Sequence, residues 1–258
     1  GGYKMEKLPC LPVKITDKQW ADKLQDGSVF MRSLYEYGSW SSIERSQAGD
    51  NTMKSGVQGD IMEGVVRRVD PKVGDDFFSL FPDDLRAVMK DAFYIDQNFY
   101  QFCNIYCMYG LTYLPAEQKF EVPDKQLKEF GDTAVIIYNP NEFLNRILGC
   151  LYKQYGDNIN FKIDEVHYYP NDYYGSLDEF CKIESYAWQN EIRMRVALLD
   201  ENATIIDENG QTRKQLIRNT APITVEIGDI RDISVQIPTS DLLDLKLPPI
   251  IQPPTIVM

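Results

Sequence analysis

The sequence predicts one α+β domain with a largely antiparallel or mixed sheet and several packed helices. Three stretches carry that expectation. From Glu191 onward the residues alternate, with Ile192, Met194, Val196 and Leu198 on one side of a pleat and Glu191, Arg193, Arg195 and Ala197 on the other. Residues 102–109 and 131–138 are almost unbroken apolar runs, as strands covered on both faces are. Phe143, Leu144, Ile147, Leu148 and Leu151 then recur at helical spacing, predicting a helix over 142–155. Asn139 supplies its cap and Pro140 its tolerated first position.

Taken in order, residues 8–15 are extended by Pro9 and Pro12, which restrict the residues before them. Asp17 is placed to cap a helix over 18–26, with Trp20 and Leu24 four apart on its inner face and Gly27 at its end. Residues 28–37 read as an apolar strand in which Arg32 is the single charge of the middle, either paired in the core or aimed at something. Between Gly38 and Gly64 periodicity gives way to Gly, Ser, Asp and Asn, a long loop of the kind that often carries function. It holds Arg45 and ends in Gly59-Asp60-Ile61-Met62-Glu63-Gly64. That unit delivers two carboxylates into a strand over 65–69, or pairs them with Arg45 or Arg67 at the surface.

Asp83 or Asp84 starts a helix over 85–93. In the strand 102–109, Cys103, Ile105 and Cys107 share one face and Phe102, Tyr106 and Met108 the other. No His, Asp or Glu stands at ligand spacing from the two cysteines, so they read as buried, inert thiols. Residues 158–163 alternate, and 166–169 extend or pair with them. Residues 176–186 read as a helix with Leu177, Phe180, Cys181 and Ser185 on one side. Strands at 203–206, 217–219 and 223–227 follow, with an Asn209-Gly210 hairpin signal among them. A strand within 228–237 closes the sheet, and Thr239 or Ser240 caps a last turn. With neither repeat nor linker to divide them, residues 3–246 form one domain, and 247–258 are a Pro-rich tail lying as a strap or a loose end.

Composition narrows the function. Hydrophobic residues make up 43% and charged residues 26%, the balance of a chain that buries a core. The 39 acidic against 27 basic residues give a net charge of -12, which repels a phosphate backbone and argues against nucleic acid as a partner. No apolar run approaches the roughly 20 residues that span a membrane, so no membrane partner is expected. Cys10, Cys103, Cys107, Cys150 and Cys181 are scattered without Cys-x-x-Cys spacing, and residues 1–9 lack the apolar core of a secretory signal. The expectation is a soluble protein of a reducing cytoplasm. His167 is the only histidine and has no nucleophile motif beside it, so neither triad chemistry nor a histidine-based metal site is expected.

If the last strand already runs at Gln189, that residue shares a face with Glu191, giving Gln-x-Glu followed by Arg193 and Arg195. This pair resembles the mono-ADP-ribosyltransferases. The resemblance implies NAD as substrate, with Glu191 bonded to its ribose and stabilising an oxocarbenium-like transition state, and Gln189 orienting the acceptor. Arg32 matches, by its order along the chain, the early-strand residue that binds the dinucleotide's phosphates or ribose. The Ser-Thr-Ser strand of that class has no counterpart, since the strand in its place offers Asn104, Tyr106 and Cys107.

A broader layout joins Gly59-Asp60-x-x-Glu63-Gly64, Phe130-Gly131-Asp132 before a strand and an Asn139-Pro140-x-Glu142-Phe143 helix, and Trp188-Gln189-Asn190-Glu191-Ile192-Arg193. It resembles uncharacterised bacterial and phage proteins of about this size, which are suspected of roles in phage defence or its evasion. Three other readings stand beside the transferase. One is a binding module for a protein or small molecule, presenting exposed Tyr168, Tyr169, Tyr173 and Tyr174 beside acidic loops. Another is metal-dependent hydrolysis, should Asp60, Glu63 and Glu191 converge. The plainest is a solvated or salt-bridged sheet face with Glu191 balanced by Arg193, Arg195 or Arg32.

Overall fold

The computed structural model of the chain describes residues 10–36, 65–69, 82, 84, 93–96, 102–206 and 210–251. It is an α+β fold organised on a 10-stranded sheet. The path β13 (Thr212–Leu216), β12 (Glu191–Ile206), β5 (Asn104–Leu114), β1 (Cys10–Thr16), β7 (Thr133–Ile137), β15 (Ser234–Pro238) is antiparallel throughout. On β12 also lies β8 (Ile159–Glu165), on β5 the short β6 (Lys119–Phe120) and β2 (Ser28–Ser33), and on β2 lies β14 (Ile223–Glu226). Outside this sheet, β3 (Val65–Val69) pairs with β4 (Phe93–Asp96) and β10 (Gly175–Ser176), and β9 (His167–Tyr169) runs parallel to β11 (Cys181–Ile183).

Helix α2 (Pro140–Tyr155) covers one sheet face. Asn139 caps it by accepting from the Glu142 amide at 3.2 Å, and Pro140 occupies its first turn. Phe143, Leu144, Ile147, Leu148 and Leu151 are buried against Val135 and Ile137 of β7, Met194 and Val196 of β12, and Val225 of β14. Burial of each such side chain contributes about 1.5–3 kcal/mol. The opposite face is covered by the 3₁₀ helix Lys125–Phe130 and by α3 (Thr239–Leu243), whose Leu127 and Leu242 pack on Val13, Leu111 and Ile136. Ile251 is buried in the same cluster, so the described start of the Pro-rich tail is a docked strap.

Several elements differ from expectation. Helix α1 (Lys18–Gln25) turns Ala21 and Leu24 inward, leaving Trp20 52% exposed, because one residue along a helix rotates the side chain by about 100°. Asp17 makes no side-chain cap there; the Lys18 amide donates instead to Asp132 at 3.0 Å. Strand β2 stops at Ser33, whose hydroxyl accepts from the Glu36 amide and starts a helical turn. Residues 176–186 are not a helix. The Asp178 carboxylate accepts from the Phe180 amide at 2.8 Å, and that local bond diverts the backbone into β11 and then the 3₁₀ helix Glu184–Gln189. The strand expected at 217–219 lies earlier, as β13, where polar residues supply backbone bonds to the far end of β12.

The loop 38–64, the helix expected over 85–93 up to residue 92 and the turn at Asn209 fall outside the described residues, while Phe93 opens β4. Among the described residues no helix is long and apolar enough to cross a membrane.

The sheet forks beside β5. One edge of β5 is taken by β12, with Glu191 opposite Tyr109 and Val196 opposite Asn104. Its other edge is shared: β1 pairs from Tyr109 onward, and β2 pairs at Asn104 and Ile105. Between these two contacts the edge at Tyr106, Cys107 and Met108 has no strand partner among the described residues, because β1 leaves towards β7 and β2 towards β14. Helix α1 connects the two prongs. The turn into β2 requires Gly27, whose φ of 101° is left-handed and whose added Cβ would lie 2.1 Å from the Gly228 carbonyl oxygen.

Candidate functional site

The fork opens a cavity of about 600 Å³. Its walls come from β1, α1, β2, the middle of β5, the 3₁₀ helix Lys125–Phe130 and the start of β12. Four basic side chains line it, Lys14, Lys23, Arg32 and Lys182, against the carboxylates Asp17 and Glu191. Trp20, Phe30, Tyr106, Tyr109 and Phe130 give it flat apolar walls. The size and the mixture of aromatic wall with few charged groups are those of a small-molecule site.

Arg32, Gln189 and Glu191, the residues singled out by the Gln-x-Glu pattern, all line this one cavity. They reach it differently from the expected route. Gln189 ends the 3₁₀ helix Glu184–Gln189, and Asn190 is left-handed at φ 36°, so β12 begins only at Glu191. No shared pleat brings Gln189 and Glu191 together. Lys182 of β11 does so, donating to Gln189 Oε1 at 2.8 Å while its Nζ lies 2.7 Å from Glu191 Oε2.

The charged face of β12 is buried, not solvated. Glu191 is 5% exposed and Arg193 1%. Residues 166–189 lie across it: the Arg193 guanidinium donates to the Glu179 carbonyl, and the Glu191 amide donates to the Tyr168 hydroxyl at 3.0 Å. Arg193 Nε donates to Glu191 Oε1 at 2.7 Å, so each carboxylate oxygen of Glu191 meets a different cation. Arg195 Nε stands 2.9 Å from Glu179 Oε1 as an ion pair, outside the angle of a hydrogen bond, and its Nη1 donates to Asn160 Oδ1. Burial alone pushes the Glu191 pKa up, but Arg193 and Lys182 outweigh it and hold the carboxyl well below the usual carboxylate range. Glu191 is therefore a fixed negative charge, not a proton donor.

Lys14 enters the fork from the opposite prong. Its ammonium donates to the Cys107 carbonyl at 2.8 Å, capping a backbone oxygen that the fork leaves without a strand, and lies 4.6 Å from the centre of the Tyr106 ring. Burial pushes the Lys14 pKa down, and the Arg32 charge adds to that, while Cys107 and Glu191 oppose it. Arg32 itself is one-third exposed and pairs with Glu36 at 3.3 Å. At the mouth, Lys23 lies over Trp20, 4.4 Å from the ring centre.

Arg193 stands behind the cavity and supports Glu191. Arg45, Asp60 and Glu63 lie outside the described residues, as does the loop half of the metal-hydrolysis reading. Among the described residues no three His, Cys, Asp or Glu side chains group to hold a metal ion. The exposed tyrosine surface is corrected: Tyr169 is buried against Leu177, Tyr168 and Tyr174 are half-buried, and Tyr173, tilted 5.7 Å from the Tyr169 ring, is the exposed one. Those rings fasten a turn to the domain.

Sequence reasoning missed Lys14 and Lys182. Each is a lone charge inside an apolar stretch, Leu11 to Ile15 and Phe180 to Ile183, which is the signal that picked out Arg32. No family model, no curated protein and no solved structure matches the chain.

Proposed function

We propose that the fork cavity binds a small anionic molecule carrying a flat ring, with NAD as the ligand and an ADP-ribosyltransferase-like reaction as its use. One observation carries the reading: Arg32, more than 150 residues away in the chain, lines with Gln189 and Glu191 a single aromatic-walled cavity of nucleotide-accepting size. In this reading the aromatic side chains take the nicotinamide or adenine ring, and Arg32 takes the phosphates. The bond from ribose C1′ to nicotinamide breaks, nicotinamide leaves with the bonding pair, and an acceptor nucleophile forms the new bond to C1′ and gives up its proton to solvent. Positive charge develops on the ribose in between. Glu191, kept ionised by Arg193 and Lys182, supplies a fixed charge against it, and Gln189 positions the acceptor.

The test is nicotinamide release and self-modification with labelled NAD. Wild type is expected to turn NAD over. Glu191→Gln is expected to bind NAD within a few-fold of wild type yet lose about 100-fold or more in turnover. Absence of NAD binding by folded wild type sinks the reading, and so does a Glu191→Gln protein with full turnover.

A second reading is favoured by the occupancy of Glu191. Both of its carboxylate oxygens are already engaged, by Arg193 and by Lys182. A glutamate held in this way is a counter-ion, and the cavity then belongs to a binding module that holds its ligand without turning it over. Binding of NAD with no nicotinamide release, in wild type and in Glu191→Gln alike, selects this second reading.

A further inference from the structure

Two lysines line the cavity, Lys182 buried and Lys14 half-buried, and they are held in opposite ways. Lys182 meets Glu191 Oε2 and Gln189 Oε1, so its charge is answered by a carboxylate. Lys14 donates once, to the Cys107 carbonyl, and rests on the Tyr106 ring; among the described residues no carboxylate pairs with it. Capping one carbonyl at a fork needs only a neutral donor. Taking an ammonium out of water costs several kcal/mol unless an opposite charge and further hydrogen bonds replace what is lost. Among the described residues no second acceptor takes the remaining Lys14 donors, and the side chain lines the cavity.

Arg32 sharpens the imbalance. It lines the same cavity, and its charge acts on Lys14 against the protonated form. Glu191, the cavity carboxylate whose charge acts on Lys14, is shared between Lys182 and Arg193. Two cations thus face one space in a protein whose net charge is -12: Arg32 has a carboxylate at Glu36, 3.3 Å away, while Lys14 has none among the described residues. A bound anion relieves both the repulsion and the desolvation.

We infer that a phosphate-class anion, the phosphate or pyrophosphate of a ligand, is held in the fork between the Lys14 ammonium and the Arg32 guanidinium. The guanidinium offers a planar pair of donors matched to two phosphate oxygens, and the ammonium a compact point charge. Phe30, whose ring centre lies 5.6 Å from the Arg32 guanidinium, and Trp20 line the same cavity and offer flat surfaces for the ring that such a ligand carries. The inference rests on the cavity being a ligand site and deepens that reading; it does not depend on NAD being the ligand or on any transfer step.

Calorimetric titration of the full chain with pyrophosphate alone tests it, with ADP-ribose, NAD and malonate as further probes. Wild type is expected to bind pyrophosphate and ADP-ribose. Lys14→Met is expected to bind each at least about tenfold more weakly, the equivalent of one charge-assisted hydrogen bond. Lys14→Arg is expected to recover most of the loss. Folded wild type that does not bind pyrophosphate overturns the inference, as does a Lys14→Met protein that binds like wild type. Malonate binding as tightly as pyrophosphate overturns the assignment to phosphate. A measurement on wild type guards against a variant that fails to fold: saturating pyrophosphate is expected to protect Lys14 from reductive methylation, read by mass spectrometry. Methylation of Lys14 at an unchanged rate overturns the inference. Pyrophosphate held through Lys14 with no NAD binding removes the NAD reading and leaves this one standing.

Discussion

Lys182 Nζ lies 2.7 Å from Glu191 Oε2, and neither side chain is more than 5% exposed. The pair joins β11 to β12, which are not neighbours in any sheet, so it pins the covering segment 166–189 onto the strand that carries Glu191. Removing one partner of a buried pair leaves the other charged and poorly solvated.

Lys182→Met is therefore expected to lower unfolding stability by about 3 kcal/mol in urea titration. The loss in the Lys182→Met/Glu191→Gln double variant is expected to fall short of the sum of the single losses by about 1 kcal/mol or more. Additive losses would show that the two side chains are not coupled.

The same site sets a pH dependence. Glu191 is held below its ordinary value of 4.5, so between its folded pKa and that value the unfolded chain binds more protons than the folded one. Stability then rises with pH across that window, by at most about 1.4 kcal/mol per pH unit for one group. The contribution is fully present above about pH 4.5 and is lost as pH falls towards the folded pKa. Glu191→Gln is expected to flatten the acid limb of the stability profile between about pH 4.5 and pH 3. An unchanged acid limb refutes the assignment.

What the sequence made legible follows the range of the forces involved. Strands β5 and β7 and helix α2 could be read because their apolar periodicity and the Asn139-Pro140 cap are local and strong. The segment 176–186 misleads because the Asp178 bond to the Phe180 amide overrides a helix-like spacing. Alternation at Glu191, Arg193 and Arg195 told which residues share a face but not whether that face meets water, since its cover comes from residues 166–189 folding back. The fork depends on β1 and β2 choosing different neighbours, a long-range event with no local signature. The pleat that would join Gln189 to Glu191 does not extend to Gln189, which reaches Glu191 through Lys182, a lone charge in an apolar stretch whose partner lies on another element.

Thiol reactivity gives an independent check on burial. Burial pushes the Cys103 thiol up to about 12, as it does Cys10, and Cys181 up to about 11. The thiolate is the reactive form, so these three are expected to stay largely unlabelled by iodoacetamide in the native chain at pH 7.5 and to label on addition of guanidinium. Peptide mass spectrometry reads each site separately. Rapid native labelling of Cys103, which is 3% exposed, would contradict its position under the sheet.

Two glycines separate backbone necessity from chance. At Gly27 an added methyl would meet the Gly228 carbonyl oxygen at 2.1 Å, with φ at 101°, so both sterics and conformation oppose a side chain. Gly27→Ala is expected to cost about 3 kcal/mol or more, through a left-handed penalty of about 1–2 kcal/mol and displacement of a backbone neighbour. Because this turn joins α1 to β2, the displacement falls on the fork, and ligand binding is expected to weaken with stability. Gly149 is the counter-case: it lies exposed within α2, with nothing within 4 Å of an added Cβ. Gly149→Ala is expected to stabilise the protein by about 0.5–1 kcal/mol and leave ligand binding unchanged, because alanine restricts the unfolded chain and fits the helix. Urea titration of the two variants side by side reads both signs; a tolerated Gly27→Ala would mean that the turn between the prongs is not held against Gly228.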